Sequence, residues 1–144
     1  MSKSGRMGDL EAIFEILVTS YAHKDGSLPA EGDLCWRPAT DAYETDEFFI
    51  VQMDLAGLDP SQVEVLADEE SLLVRGIREE AVSVGKKHFH KMEIRVGPFA
   101  RRVPLTVTVD PSSAEARYRN GFLCVTFRKG SGKRRNQSQI AINR

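Results

Sequence analysis

The sequence predicts an all-β chain, an antiparallel β-sandwich with a short helical arm before it and an extended tail after it. Three observations carry this: a hairpin signal at Asn120-Gly121, short apolar runs recurring between turn residues from residue 48 onward, and no helical period among those runs. Asn120 and Gly121 suit the two central positions of a type I′ turn, where both residues need positive φ and the twist matches that of the flanking strands. Beyond the turn Leu123, Val125 and Phe127 fall on one face and Phe122, Cys124 and Thr126 on the other, the alternation of a sheet buried on one side.

With 144 residues the chain has room for one core and short appendages. Its 41% hydrophobic and 28% charged residues are those of a soluble globular protein, and a net charge of -1 argues against bulk electrostatic attraction to nucleic acid or anionic membrane. Cys35 and Cys124 stand far apart without paired spacing, which suits free thiols in a reducing compartment. The apolar stretch 13–18 is interrupted by Glu15 and has no cleavage site after it, so it is read as neither a signal peptide nor a membrane span. The expected location is cytoplasmic.

The chain divides into an arm (1–34), a sheet domain (35–129) and an extension (130–144). Within the arm Asp9 can cap a helix, and Leu10, Ile13, Phe14, Leu17, Val18 and Tyr21 recur at the spacing of one helical face. Lys24 complements the helix dipole and Gly26 is a stop. That face either docks on the chain's own core or serves as a sticky surface for other subunits and non-native proteins. Residues 25–34 are turn-forming and read as a linker.

In the sheet domain Pro38 limits any early strand around Asp41 and Tyr43 to an edge, and residues 48–55 form a strong strand candidate ended by Gly57-Leu58-Asp59-Pro60. Strands are expected at 63–67 and 72–77, separated by an acidic turn at Asp68-Glu69-Glu70. Residues 78–87 are charged and aperiodic, a long loop of the kind that makes contacts outside its own domain. Strand character is expected again over 88–96, a break at Gly97-Pro98, an alternating strand over 103–109 in which Pro104 must face an edge or bulge, and a turn at Asp110-Pro111-Ser112-Ser113.

Sites for chemistry are thin. His88-x-His90 would share a strand face, but no further ligand is placed to complete a metal site. Gly130-Ser131-Gly132-Lys133 lacks the first glycine, the following hydroxyl residue and the strand-to-helix context of a phosphate loop. Lys133-Arg134-Arg135 has no interleaved aromatics and reads as a solubilising run rather than a nucleic-acid contact. No nucleophile motif accompanies the Ser, His and Asp residues. Neither an enzyme nor a cofactor, metal, nucleic-acid or membrane partner is expected.

A family resemblance rests on several patterns in order. Ala116-x-x-x-Asn120-Gly121-Phe122-Leu123 closely resembles the signature of the alpha-crystallin domain of small heat-shock proteins. Trp36-x-Pro38-x-x-Asp41, Asp54-Leu55-Ala56-Gly57, Leu72-x-Val74-x-Gly76-x-Arg78, Glu93-x-x-x-Gly97-x-Phe99-x-Arg101 and Ile140-x-Ile142 are similar to that family's other landmarks, from about residue 34 onward. Ala56, Thr106 and Arg128 stand where prolines are usual, which bears on turn rigidity alone.

The resemblance implies an immunoglobulin-like sandwich and an ATP-independent holdase without catalytic residues, which binds non-native client proteins and forms a strand-exchanged dimer and higher homo-oligomers. Mapped here, an exchanging loop over residues 78–91 would pair with a partner's strand near 39–43, with Arg101, Asp41, Tyr43 and Phe89 at the dimer interface. The tail isoleucines Ile140 and Ile142 would dock in a neighbour's edge groove between strands at 63–67 and 113–119, lined by Val63, Val65, Ala116 and Tyr118. Leu10, Ile13, Phe14, Leu17, Val18 and Tyr21 would supply client or oligomer contacts. The alternative function is a co-chaperone-like adaptor on the same sandwich.

The physics of the tail agrees with that mapping. Residues two apart in an extended segment project to one side, and each fully buried isoleucine contributes ~1.5–3 kcal/mol before ordering costs. One such contact exchanges readily, whereas many in one assembly hold it through effective concentration.

Overall fold

The computed structural model describes residues 36–80, 84–130 and 137–144. The expected arm helix, with Leu10 through Tyr21, lies outside the described residues, as do Cys35 and the basic run at 133–135. Among the described residues nine strands follow in order: β1 (Thr40–Glu44), β2 (Phe48–Asp54), β3 (Val63–Ala67), β4 (Ser71–Arg78), β5 (Gly97–Pro104), β6 (Val109–Arg119), β7 (Phe122–Lys129), β8 (Ser138–Gln139) and β9 (Ile142–Asn143). They form two sheets, β1-β2-β7-β6-β9 and β5-β4-β3-β8, and every pairing is antiparallel except that of β9 on β6.

The expected sandwich is present. Val51, Met53, Leu123, Val125 and Phe127 from one sheet meet Val63, Val65, Leu72, Val74 and Phe99 from the other in a single buried cluster. Period-2 alternation along each strand puts these residues on the inner faces. The β6–β7 hairpin closes through Asn120 at φ 53° and Gly121 at φ 83°, the backbone that a two-residue type I′ turn demands. β1 takes the expected edge position beside β2, with Pro38 lying just before the strand rather than in it.

Trp36 fastens the start of the domain to the end of the β4–β5 pair. Its Nε1 donates to the Gly97 carbonyl at 2.9 Å, its ring meets Phe99 edge-on at 5.0 Å, and the Arg78 guanidinium stacks 3.8 Å above it. Arg78 Nε in turn donates to the Arg95 carbonyl at 2.8 Å. The two ends of the long loop are therefore tied at one place.

Four strand-level expectations are corrected. Residues 88–96 form no strand. Their backbone has no adjacent edge within the described residues, and a ladder needs a partner before extended chain becomes a strand. Gly97-Pro98 starts β5 instead of breaking the chain, because β5 is an edge strand and the missing N–H of Pro98 removes no interior bond. Residues 105–108 cross from one sheet to the other outside the strand ladders, although Leu105 and Val107 still pack on the core and so produce the strand-like alternation. The turn expected at 110–113 is a bulge inside β6: the register shifts between Asp110 and Glu115, and Asp110 Oδ1 accepts from the Ser112 amide at 2.9 Å.

Candidate functional site

The sandwich leaves an opening along one side, between β3 at the edge of its sheet and β6 on the facing sheet. Without cover, β3 and β6 would each present a row of unpaired backbone groups beside the core. The tail fills this opening. Ser138 and Gln139 pair antiparallel with Ala67 and Leu66, the Ile140 amide donates to the Val65 carbonyl at 2.8 Å, and Ile142 and Asn143 run parallel to Ala116 and Arg117. One short segment thus extends both sheets at once. The isoleucines, two positions apart, both pack partly buried on the core cluster.

Of the groove residues expected from sequence, Val65 and Ala116 touch the tail's backbone ladder directly. Val63 lies further along β3, opposite Gly76 and beyond the pairing with β8. Tyr118 packs against the core, and its hydroxyl donates to the Leu55 carbonyl at 2.9 Å. Sequence reasoning missed Leu66, Ala67 and Arg117, which follow only once the register is known. It also missed Asp59, read there as part of a chain break. Asp59 Oδ1 accepts from the Ser61 amide at 2.9 Å, capping the 3-10 turn Pro60–Gln62, and lies 3.5 Å from Arg144 Nη2. The Ser61 hydrogen bonds, with Arg144 adding a smaller effect, hold the Asp59 carboxyl below its ordinary value.

The expected inter-subunit docking takes a different form within this single chain, since the tail seated in the groove is the chain's own.

The expected dimer residues are not gathered in one chain. Arg101, on β5, donates through Nη1 to the carbonyl of Pro38 just before β1. Its Nε is buried without a hydrogen-bond partner among the described residues, and burial, with Arg37 nearby, lowers the pKa of its guanidinium. Asp41 and Tyr43 stand exposed on β1, and Phe89 is 55% exposed in the loop. Among the described residues no hydrogen bond or ion pair joins these three to Arg101.

One charged side chain is buried on the other side of the β3–β4 pair. Glu64 is 1% exposed on the face of β3 that looks away from the core, paired with Arg75 Nε at 2.6 Å directly across on β4. His88 and His90 are both exposed. Among the described residues no helix is long and apolar enough to cross a membrane.

Comparison with known proteins decides the lineage, since residues 41–143 match the Hsp20/alpha crystallin family. The chain belongs to that family. It is 28% identical over 131 residues to small heat shock protein C2 of Rickettsia felis, an alignment covering 90% of this chain and 84% of that protein. Among solved structures it resembles the hspA of Xanthomonas axonopodis at 37% identity and a TM-score of 0.59, over 65% of this chain and 94% of that one. A small heat-shock protein from Xylella fastidiosa resembles it at 32% identity and a TM-score of 0.60, over 72% of this chain and 97% of the other. Family membership and these heat-shock relatives support a general chaperone role for this small heat-shock protein.

Proposed function

We propose that the protein is an ATP-independent holdase that captures non-native proteins and works as a homo-oligomer. The observation that carries the reading is the groove between β3 and β6, which the Ile140-x-Ile142 motif fills with backbone pairing on both walls. In the assembly, tails from other subunits take that place. Each docking is weak enough to exchange, and the number of dockings keeps the assembly together.

The dimer beneath it is made by strand exchange. Among the described residues β1 has a free outer edge, and the loop carries Phe89, Met92 and Ile94 all more than half exposed. Pairing that loop with a partner's β1 would cover both, and would bring an acceptor to the unsatisfied Nε of Arg101. The apolar positions of the arm, from Leu10 to Tyr21, are the client-binding face. A protein that binds exposed apolar surface lowers the free concentration of the aggregating species by mass action, without nucleotide and without catalysis. The working location is the cytoplasm, with no nucleic-acid or membrane partner.

The test is light scattering of a heated, aggregation-prone enzyme with this protein added at equal subunit ratio and no nucleotide. Scattering should fall sharply. Unchanged scattering, together with co-purification of one folded partner, would establish the adaptor instead.

A further inference from the structure

We propose that Asp59 is a specificity-determining residue of the groove: it favours a tail whose cation stands two positions beyond the second isoleucine, and so biases the direction in which a second copy's tail docks. The inference rests on the tail-docking reading above.

The isoleucine motif encodes little direction by itself. Ile140-Ala141-Ile142 is symmetric about Ala141, so a reversed tail puts an isoleucine at each of the same two positions. Backbone pairing is nearly as indifferent. The tail runs antiparallel to β3 and parallel to β6, and reversal merely exchanges the two relationships. Discrimination therefore falls to the residues flanking the motif. In the observed direction Arg144 lies 3.5 Å from Asp59; reflection through Ala141 would bring Ser138 there, a neutral hydroxyl in place of a cation.

Asp59 is prepared for this role before the tail arrives. Its carboxylate is fixed by the cap it makes to Ser61 at 2.9 Å, and Pro60 stiffens the turn behind it. The same hydrogen bonds favour the ionised form, so the negative charge is in place at neutral pH. The pair is exposed, 73% for Arg144 and 55% for Asp59, so its effect on affinity is modest and screened by salt.

Direction is read with cysteine pairs in full-length protein carrying Cys35→Ser and Cys124→Ser, the latter because Cys124 lies beside Arg117 on β7. Arg117→Cys with Asn143→Cys reports the observed direction, since Asn143 sits opposite Arg117. Arg117→Cys with Gln139→Cys reports the reversed one. Oxidation should link the first pair in preference to the second, by roughly 1.5- to 5-fold. Adding Asp59→Asn, which keeps the cap but removes the charge, or Arg144→Gln, should bring up the second. In parallel, subunit exchange between two labelled pools should quicken roughly 1.5- to 5-fold in either charge variant, and no further in the double variant.

Crosslinking that stays with the first pair in both charge variants, or exchange effects that simply multiply, would overturn the proposal. Ile140→Ser with Ile142→Ser separates this from failure of the docking reading. Faster exchange in that variant leaves docking standing while the charge pair is judged; unchanged exchange removes docking and the proposal together.

Discussion

The Ile140 amide lies 2.8 Å from the Val65 carbonyl that it donates to. The tail motif is thereby held as a strand, with its register set by the backbone of β3. Two apolar side chains resting on a surface could slide; a paired strand cannot shift by one residue without turning both isoleucines out of the groove.

Gly76 should be intolerant of any side chain. A Cβ there would lie 2.6 Å from the Gln62 carbonyl and 3.2 Å from the Phe99 ring. The backbone oxygen cannot swing aside as a flexible side chain could. Gly76→Ala is expected to cost about 1–3 kcal/mol through overpacking, read as a lower denaturant midpoint at unchanged slope.

Glu64 and Arg75 form a pair whose members depend on each other unequally. With Glu64 1% exposed, Glu64→Ala leaves part of a largely buried guanidinium without its carboxylate. The expected loss is roughly 1–3 kcal/mol. Replacing both residues by leucine should recover most of it, because two apolar side chains carry no desolvation cost. A double-mutant cycle in chemical denaturation checks this, and additive losses would contradict it.

Arg101 should matter more to association than to the fold of one subunit. Its Nη1 is engaged by Pro38 while the buried Nε is unsatisfied. Arg101→Ala is expected to weaken dimerisation at least tenfold, on the order of what truncating one partner of a buried charged contact costs. Arg101→Lys should not rescue it, since an ammonium lacks the planar fork that can serve two acceptors at once. Sedimentation across a dilution series measures the effect; equal dissociation of wild type and Arg101→Ala would contradict it.

The sequence made the sandwich legible where local chemistry and tertiary role coincide. Asn120-Gly121 needs only its own φ preferences, and β2 and β7 need only their alternation. It failed where a partner strand decides. Residues 88–96 have strand composition but no adjacent edge among the described residues, and Pro98 lies in a strand because β5 is at an edge. The Ile140-x-Ile142 motif and the β3 side of the groove were readable from spacing and from family likeness. Leu66 and Ala67 were not, because they are set by register; nor was Asp59, whose significance comes from a residue 85 positions away in the chain.

The most direct test is the native mass of the full-length protein beside that of Ile140→Ser/Ile142→Ser, measured at the same concentration. Each serine removes a partly buried isoleucine contact, worth somewhat less than the ~1.5–3 kcal/mol of full burial; repeated over every subunit, that loss is decisive for an assembly held by many weak dockings. The wild type should be a large oligomer and the variant should collapse to dimers. Equal masses for the two, or a monomeric wild type, would contradict the account.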